Sequence, residues 1–240
     1  MNIKHELRDM KRLMQSVPAT VVAFFTVSVI LMNLLAGKEV QTGISWLALD
    51  CGITVSWLSF LCMDMITKRF GARAAIQISF FASAMNLFVC AIFKLVSMVP
   101  GNWAEFYTFE ADMVNQALDN TIGGTWYILM GSTVAFITSS IVNALINAGL
   151  GKAFDHSTFT GYAVRSYVST LIAQFVDNMV FALIVSHTFF GWTMTQCVFC
   201  SATGCVVELI CEVVFSPIGY KVCKGWERDG VGAGYLEGAR

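Results

Sequence analysis

The stretch Arg165-Ser166-Tyr167-Val168-Ser169-Thr170-Leu171-Ile172-Ala173-Gln174-Phe175-Val176-Asp177-Asn178-Met179-Val180-Phe181 decides how the chain is read. At about 100° per residue, Ser166, Thr170, Ala173 and Asp177 fall on one helical stripe, flanked by Ser169, Gln174 and Asn178. Leu171, Ile172, Phe175, Met179 and Val180 lie elsewhere around the helix. The segment stays apolar to about residue 190, long enough to cross a hydrocarbon core of about 30 Å. A carboxylate and two carboxamides therefore sit at membrane depth, where ionisable groups are costly and mark functional sites.

Composition supports the membrane setting. The 240 residues are 56% hydrophobic and only 13% charged, with three prolines and a mean hydropathy of +0.66. A soluble domain carries about a quarter charged residues. The basic residues gather into four clusters, with only Lys38 and Lys94 outside them: Lys4, Arg8, Lys11 and Arg12; Lys68, Arg69 and Arg73; Lys152 and Arg165; and Lys221, Lys224 and Arg228, followed by Arg240. Between them lie six apolar spans, at roughly 18–36, 44–64, 74–99, 124–148, 164–190 and 192–216. If the spans alternate, every basic cluster falls on one side, and the positive-inside rule places both termini in the cytoplasm. The intervening loop 100–123 agrees, with Glu105, Glu110, Asp112 and Asp119 and no Lys or Arg.

The expected fold is thus an all-α integral membrane protein of six transmembrane helices. A short amphipathic helix is expected within the cytoplasmic segment 1–17, the transmembrane domain over 18–220 and a cytoplasmic tail over 221–240. The first span is too long for a signal-peptide core, and Asn33 to Lys38 make a poor cleavage site, so it is read as a helix. Loop 100–123, with Trp103, Phe106, Tyr107 and Phe109 among its acids, is expected to fold over the external mouth as an amphipathic lid.

The remaining spans carry their own polar faces. Ala19 and Ala23 in the first form a packing seam ending near Asn33, an amide that needs a partner in protein, water or ligand. The second opens with Trp46 and Asp50 and closes with Asp64, four residues before Lys68, at ion-pair spacing. Lys94 in the third either snorkels to the interface or pairs with an intramembrane acid. Ser132, Ser139, Asn143 and Asn147 share one side of the fourth. Ser201, Gly204, Cys205, Glu208 and Glu212 share a stripe in the sixth, before Pro217. Two carboxylates one turn apart in a low-dielectric setting cannot both ionise cheaply, so either proton coupling through Glu208 and Glu212 or pairing of Glu212 with Lys221 or Arg165 is expected.

Enzyme chemistry finds little support. The histidines, at 5, 156 and 187, lie at span ends or outside them, so no serine–histidine pair is placed. No Gly-x-Gly-Asp element suggests intramembrane aspartyl catalysis. Cys197-x-x-Cys200 has no second pair and reads as packing, so no metal is expected.

Several blocks together resemble the putative vitamin uptake transporter family, also described as queuosine precursor transporters. They are Asn33-Leu34-Leu35; Asp64-Met65-Ile66-Thr67-Lys68-Arg69-Phe70-Gly71; Arg165 with Val168 to Asn178; and Glu212-Val213-Val214-Phe215-Ser216-Pro217 with Tyr220. The resemblance implies a six-helix inner-membrane importer of 7-deazapurines, precursors of a modified tRNA base, with no ATPase of its own. Asn33, Gln174, Asp177 and Glu212 match the family's polar pattern by position. Glu208 departs from it, since the resemblance implies a basic residue about one turn before Glu212.

The chemistry of the residues is compatible. A 7-deazaguanine offers an amino group, a ring N–H and a carbonyl along one edge, which a carboxylate and carboxamides can satisfy. Asn33, Asn143, Gln174, Asp177 and Asn178 are therefore the expected substrate contacts, with Glu208, Glu212, Asp64 and Lys94 in coupling or gating. The expected partners are the base, membrane lipid and optionally a second copy of the chain. No cofactor or nucleic acid is expected. The alternative is the substrate-binding component of an energy-coupling-factor vitamin transporter, which would add an ATPase module docked on a face such as Ala19-x-x-x-Ala23.

Overall fold

The computed structural model describes residues 3–103, 112–150 and 159–238, and they are almost entirely helical. In chain order the elements are α1 (Ile3–Ser16), α2 (Ala19–Leu35), β1 (Glu39–Val40), β2 (Leu49–Asp50), α3 (Ile53–Phe70), α4 (Ala72–Val96), α5 (Asp112–Gly123), α6 (Trp126–Leu150), α7 (Phe159–Phe181), a π-helical segment (Ala182–His187), α8 (Thr188–Phe190), α9 (Met194–Arg228) and α10 (Ala233–Gly238). Two compact units divide the chain. One comprises Met1–Met32, Thr54–Phe88 and Cys211–Arg240, and the other Asn33–Ile53 and Val89–Ile210.

Among the described residues, three helical stretches are long and apolar enough to cross a membrane: Ala72–Val96, Thr170–Phe190 and Met194–Phe215. A fourth is reached if Arg8–Ser16 and Ala19–Leu35, bent by 108°, count as one broken span. Helices α2, α3 and α6 run for 17, 18 and 25 residues. Large apolar side chains stand exposed along these helices, such as Phe80 at 56% and Leu145 at 68%. Water would penalise such surfaces and hydrocarbon does not, which is the pattern of a multi-pass membrane protein.

The first unit is built on an amphipathic turn. Val17-Pro18 separates α1 from α2, and Pro18 starts the second helix, because its fixed φ suits a first turn while its missing N–H cannot continue α1. Leu13 and Val17 are buried with Val21, Val22 and Phe25 in one core cluster with Ile66, Phe70, Ile78 and Cys223. The apolar face of α1 thus packs on protein. At the end of α3, Lys68 and Arg69 complement the helix dipole. Gly71, at φ +90°, then stops the helix in a conformation that other residues adopt only with strain.

That α3 terminus receives the C-terminal segment. Arg69 donates from Nε and Nη2 to the Val231 carbonyl at 3.0 and 2.6 Å. Phe70 meets the rings of Trp226 and Tyr235 edge-on or tilted. Lys68 Nζ lies 4.1 Å over the Tyr220 ring, and Trp57 stacks on Phe215 at 4.3 Å.

In the second unit a short antiparallel hairpin pairs Glu39 with Asp50 and Val40 with Leu49. It sets a different start for the second span from the expected residue 44. Trp46 and Asp50 belong to the hairpin, and α3 begins only at Ile53. Asp50 Oδ1 accepts the Gly52 N–H at 2.7 Å, satisfying a donor that the helix start leaves orphaned. Ala48 is buried against Ala182, Trp192 and Cys197.

The loop after α4 also holds a helix. Trp103 donates its backbone N–H to Asn115 Oδ1 at 2.7 Å and its indole N–H to Asp119 Oδ1 at 3.2 Å, tying the loop to α5. Phe106, Tyr107 and Phe109 of the expected lid lie outside the described residues. Beyond α5, α6 packs along α7. Gly131 lets α6 also approach the π-helical segment, since a Cβ there would clash with Val185. Gly191, at φ 72°, ends α8. A capping box then starts α9, with Gln196 Oε1 accepting the Thr193 N–H at 2.8 Å and Thr193 Oγ1 accepting the Gln196 N–H at 3.2 Å.

Candidate functional site

The polar stripe of α7 lies in the second unit, and three helices of that unit set its geometry. Ser139 on α6 donates from Oγ to Asp177 Oδ1 at 2.7 Å. One residue further on, Asn178 donates from Nδ2 to Glu208 Oε2 at 3.3 Å. Successive residues on a helix point about 100° apart, so Asp177 is drawn to α6 while Asn178 is drawn to α9. Glu208 is only 4% exposed. A buried carboxylate needs donors, and a carboxamide meets that need.

Gly204, one turn before Glu208, lets the carboxamide in. A Cβ at that position would lie 2.8 Å from Asn178 Nδ2, too close to coexist with it. The spacing Gly204-x-x-x-Glu208 is thus a notch and an anchor on one face of α9.

Gln174 stands one turn before Asp177 and Asn178. It is 3% exposed, and neither Oε1 nor Nε2 has a hydrogen-bond partner. Leaving a buried amide group unpaired costs about 1–3 kcal/mol, so a carboxamide orphaned at both ends is the most conspicuous recognition group of the stripe. Asn33, near the end of α2, is 6% exposed with Nδ2 likewise unpartnered. Ala36, three residues on and on the same side of α2, clusters with Ile128 and Val185.

Of the other expected residues, Lys94 is exposed on α4. Asn143 lies one turn beyond Ser139 on α6, and its side chain is outside the described residues, as are those of Asp64 and Glu212. No group of three or more His, Cys, Asp or Glu able to hold a metal occurs among the described residues. Ala19 and Ala23 are both exposed on α2.

Two elements were not legible from the stripe alone. Ser139 was visible as a polar position on its own helix, but helical periodicity does not say that it meets Asp177. Asp50 lies outside the spanning helices, half-buried in the hairpin, and burial pushes its carboxyl up to about 6 against the opposing N–H groups of Gly52 and Ile53.

The site therefore presents an orphaned carboxamide beside two polar side chains already engaged by neighbours, in a helix of membrane-spanning length. It has the makings of a hydrogen-bonding receptor for a small polar molecule. No curated protein and no solved structure matches the chain. The family model described as "Putative vitamin uptake transporter" matches residues 50–222, which include α6, α7 and α9 through Glu208. Covering well over half of the sequence and every residue of the stripe, that match shows that the chain belongs to the putative vitamin uptake transporter family.

Proposed function

We propose that this protein imports a queuosine precursor, a 7-deazapurine base such as queuine or one of its biosynthetic precursors, across the inner membrane. The observation that carries this reading is the α7 stripe of Gln174, Asp177 and Asn178, held by Ser139 and Glu208. A 7-deazaguanine edge offers two kinds of N–H donor and a carbonyl acceptor. Asp177 keeps Oδ2 and the second lone pair of Oδ1 for such donors, and Gln174 is unpaired at both ends. Asn33 and Asn143 are the proposed co-ligands, and an aromatic ring stacks on the base.

The topology in this proposal has six crossings, by α2, α3, α4, α6, α7 with α8, and α9, and places both termini in the cytoplasm. The clustering of Lys and Arg supports it. Import is proton-coupled in this reading. Glu208 and Glu212 are the coupling carboxyls, and Asp64 and Lys94 serve in gating. The substrate leaves chemically unchanged, and no ATPase module is required.

A thermal-shift screen of the purified protein against queuine, its precursors and common vitamins tests the substrate. A ligand stabilises by RT ln(1 + [L]/Kd), so a deazapurine should raise Tm in wild type and much less in Asp177→Asn. No shift with any deazapurine contradicts the substrate assignment. Uptake that is independent of pH and survives Glu208→Gln and Glu212→Gln removes proton coupling. Co-purification with an ATPase, together with no uptake by the isolated protein, points instead to the substrate-binding component of an energy-coupling-factor transporter.

A further inference from the structure

We infer that Gln174 is the residue that reads the ligand, pairing through both ends of its carboxamide with a cis-amide (lactam) edge. In this arrangement Asn178 acts as a positioning residue, and Asp177, oriented by Ser139, keeps Oδ2 for a donor beside that edge. The inference rests on the importer reading above and narrows it from a class of bases to one edge of the molecule.

The three polar residues of the stripe differ in how far the protein itself satisfies them. Asp177 accepts from Ser139 at 2.7 Å, and Asn178 donates to Glu208 at 3.3 Å. Both are oriented by neighbouring helices. Gln174 is as deeply buried as any described polar residue of the stripe, yet its oxygen and its nitrogen are both without partners. A group desolvated in this way is stable only when something supplies an acceptor for Nε2 and a donor for Oε1.

A carboxamide holds its donor and acceptor side by side in one plane. Its complement is therefore a ligand with an adjacent donor and acceptor, also coplanar. A ring lactam, N–H beside C=O, has that arrangement. A carboxylate ligand offers only acceptors and an ammonium only donors, so neither can satisfy both ends of Gln174.

Its two neighbours explain why Gln174 is available. The bonds to Ser139 and Glu208 hold α7 by its next turn, through Asp177 Oδ1 and Asn178 Nδ2. Gln174, one turn earlier on the same side, takes no bond from either helix. Isosteric change at Gln174 therefore has opposite effects on the empty and the loaded protein, which a merely structural glutamine would not show.

The experiment uses the purified full-length protein in detergent, wild type and Gln174→Met, with four probes: 7-deazaguanine, 7-deazahypoxanthine, 1-methyl-7-deazaguanine and the non-deazapurine lactam uracil. Each is titrated by thermal shift and isothermal calorimetry. The expected result is that 7-deazaguanine and 7-deazahypoxanthine, which share the lactam, both bind wild type. Gln174→Met should weaken both by roughly 10- to 100-fold, the worth of one bidentate pair. The 1-methyl compound, with the ring N–H blocked, should be lost from wild type. The ligand-free Tm of Gln174→Met should be equal to or above that of wild type, because an unpaired buried amide has been removed.

Equal affinities for wild type and Gln174→Met, binding of the 1-methyl compound, or loss of binding by 7-deazahypoxanthine alone would each overturn the inference. So would a lower ligand-free Tm in Gln174→Met, which would mean that the amide is satisfied within the protein. If uracil binds in a Gln174-dependent way while no deazapurine does, the lactam reader stands and the deazapurine reading fails. If none of the four probes binds wild type, the lactam reader fails too.

Discussion

Ser139 Oγ and Asp177 Oδ1 lie 2.7 Å apart, so the acid of the α7 stripe is held by a hydroxyl on α6. A hydrogen bond to a charged acceptor is worth about 1.5–3 kcal/mol, and its loss in a buried setting exposes the acceptor's desolvation cost. Ser139→Ala should therefore lower thermal stability in detergent and weaken substrate binding. Because the two groups share one bond, the double variant with Asp177→Asn should lose less than the sum of the singles. Strict additivity in the melting free energies would mean that the pair is not coupled.

Gly204 tests the other side of the stripe. The methyl of Gly204→Ala would fall 2.8 Å from Asn178 Nδ2, so the carboxamide must move away from Glu208. Overpacking of this kind costs about 1–3 kcal/mol. The variant should melt earlier than wild type, and an additional Asn178→Ala, which vacates the space, should recover part of the loss. Melting unchanged in Gly204→Ala would show that the notch is not needed.

In the first unit, the C-terminal segment is attached through Arg69 and Phe70. Arg69→Ala removes two N–H donors from the Val231 carbonyl, a loss of about 1–2 kcal/mol for a half-buried charged donor. Gly232→Ala adds strain at φ +74° and drives a Cβ into the ring of Phe70. Both variants should speed amide hydrogen exchange over Ala233–Gly238, Gly232→Ala more so, with exchange on α7 unchanged. Protection of that segment identical to wild type would contradict the attachment.

Asp50 predicts a pH dependence. Its folded value of about 6 lies above its ordinary 3.8, so the folded protein holds the proton more tightly than the unfolded chain does. Stability from this group is therefore greatest below about pH 4, falls as pH rises through the window from about 4 to about 6, and is level above it. The upper bound on the loss is about 3 kcal/mol, from about 1.4 kcal/mol for each unit between the two values. Asp50→Asn keeps an acceptor for the Gly52 N–H but cannot ionise. It should match wild type near pH 4 and melt at higher temperature above pH 6. A wild-type minus Asp50→Asn difference that does not vary with pH would refute the assignment.

Much of this architecture is written in hydrophobic periodicity. The apolar runs locate the long helices, the mix of Leu, Met and charge at 1–17 locates α1, and the positions of Gln174, Asp177 and Asn178 are a matter of 100° steps. What periodicity cannot supply is the partner across a helix interface, because it describes one helix at a time. Ser139–Asp177 and Asn178–Glu208 therefore emerge only in three dimensions. So does the difference between Gln174, with no partner, and Asp177, which has one.

Other features depended on short-range chemistry that a search for spans passes over. Asp50-x-Gly52 caps the start of α3, so the helix begins at Ile53 rather than near residue 44. Thr193-x-x-Gln196 is a capping box that marks the start of α9. The acidic loop contains α5, to which Trp103 is tied through Asn115 and Asp119. Arg69, expected only as part of a basic cluster, instead clasps Val231, a contact 162 residues away in sequence that no local pattern announces.

The measurement closest to the central claim is uptake of radiolabelled queuine and 7-deazaguanine by the purified protein alone in liposomes, with wild type and Asp177→Asn side by side. Saturable accumulation in wild type, competed by unlabelled deazapurines and reduced at least about tenfold by the substitution, is the predicted result. Absence of accumulation for every deazapurine tried, or equal uptake by the two proteins, would contradict it.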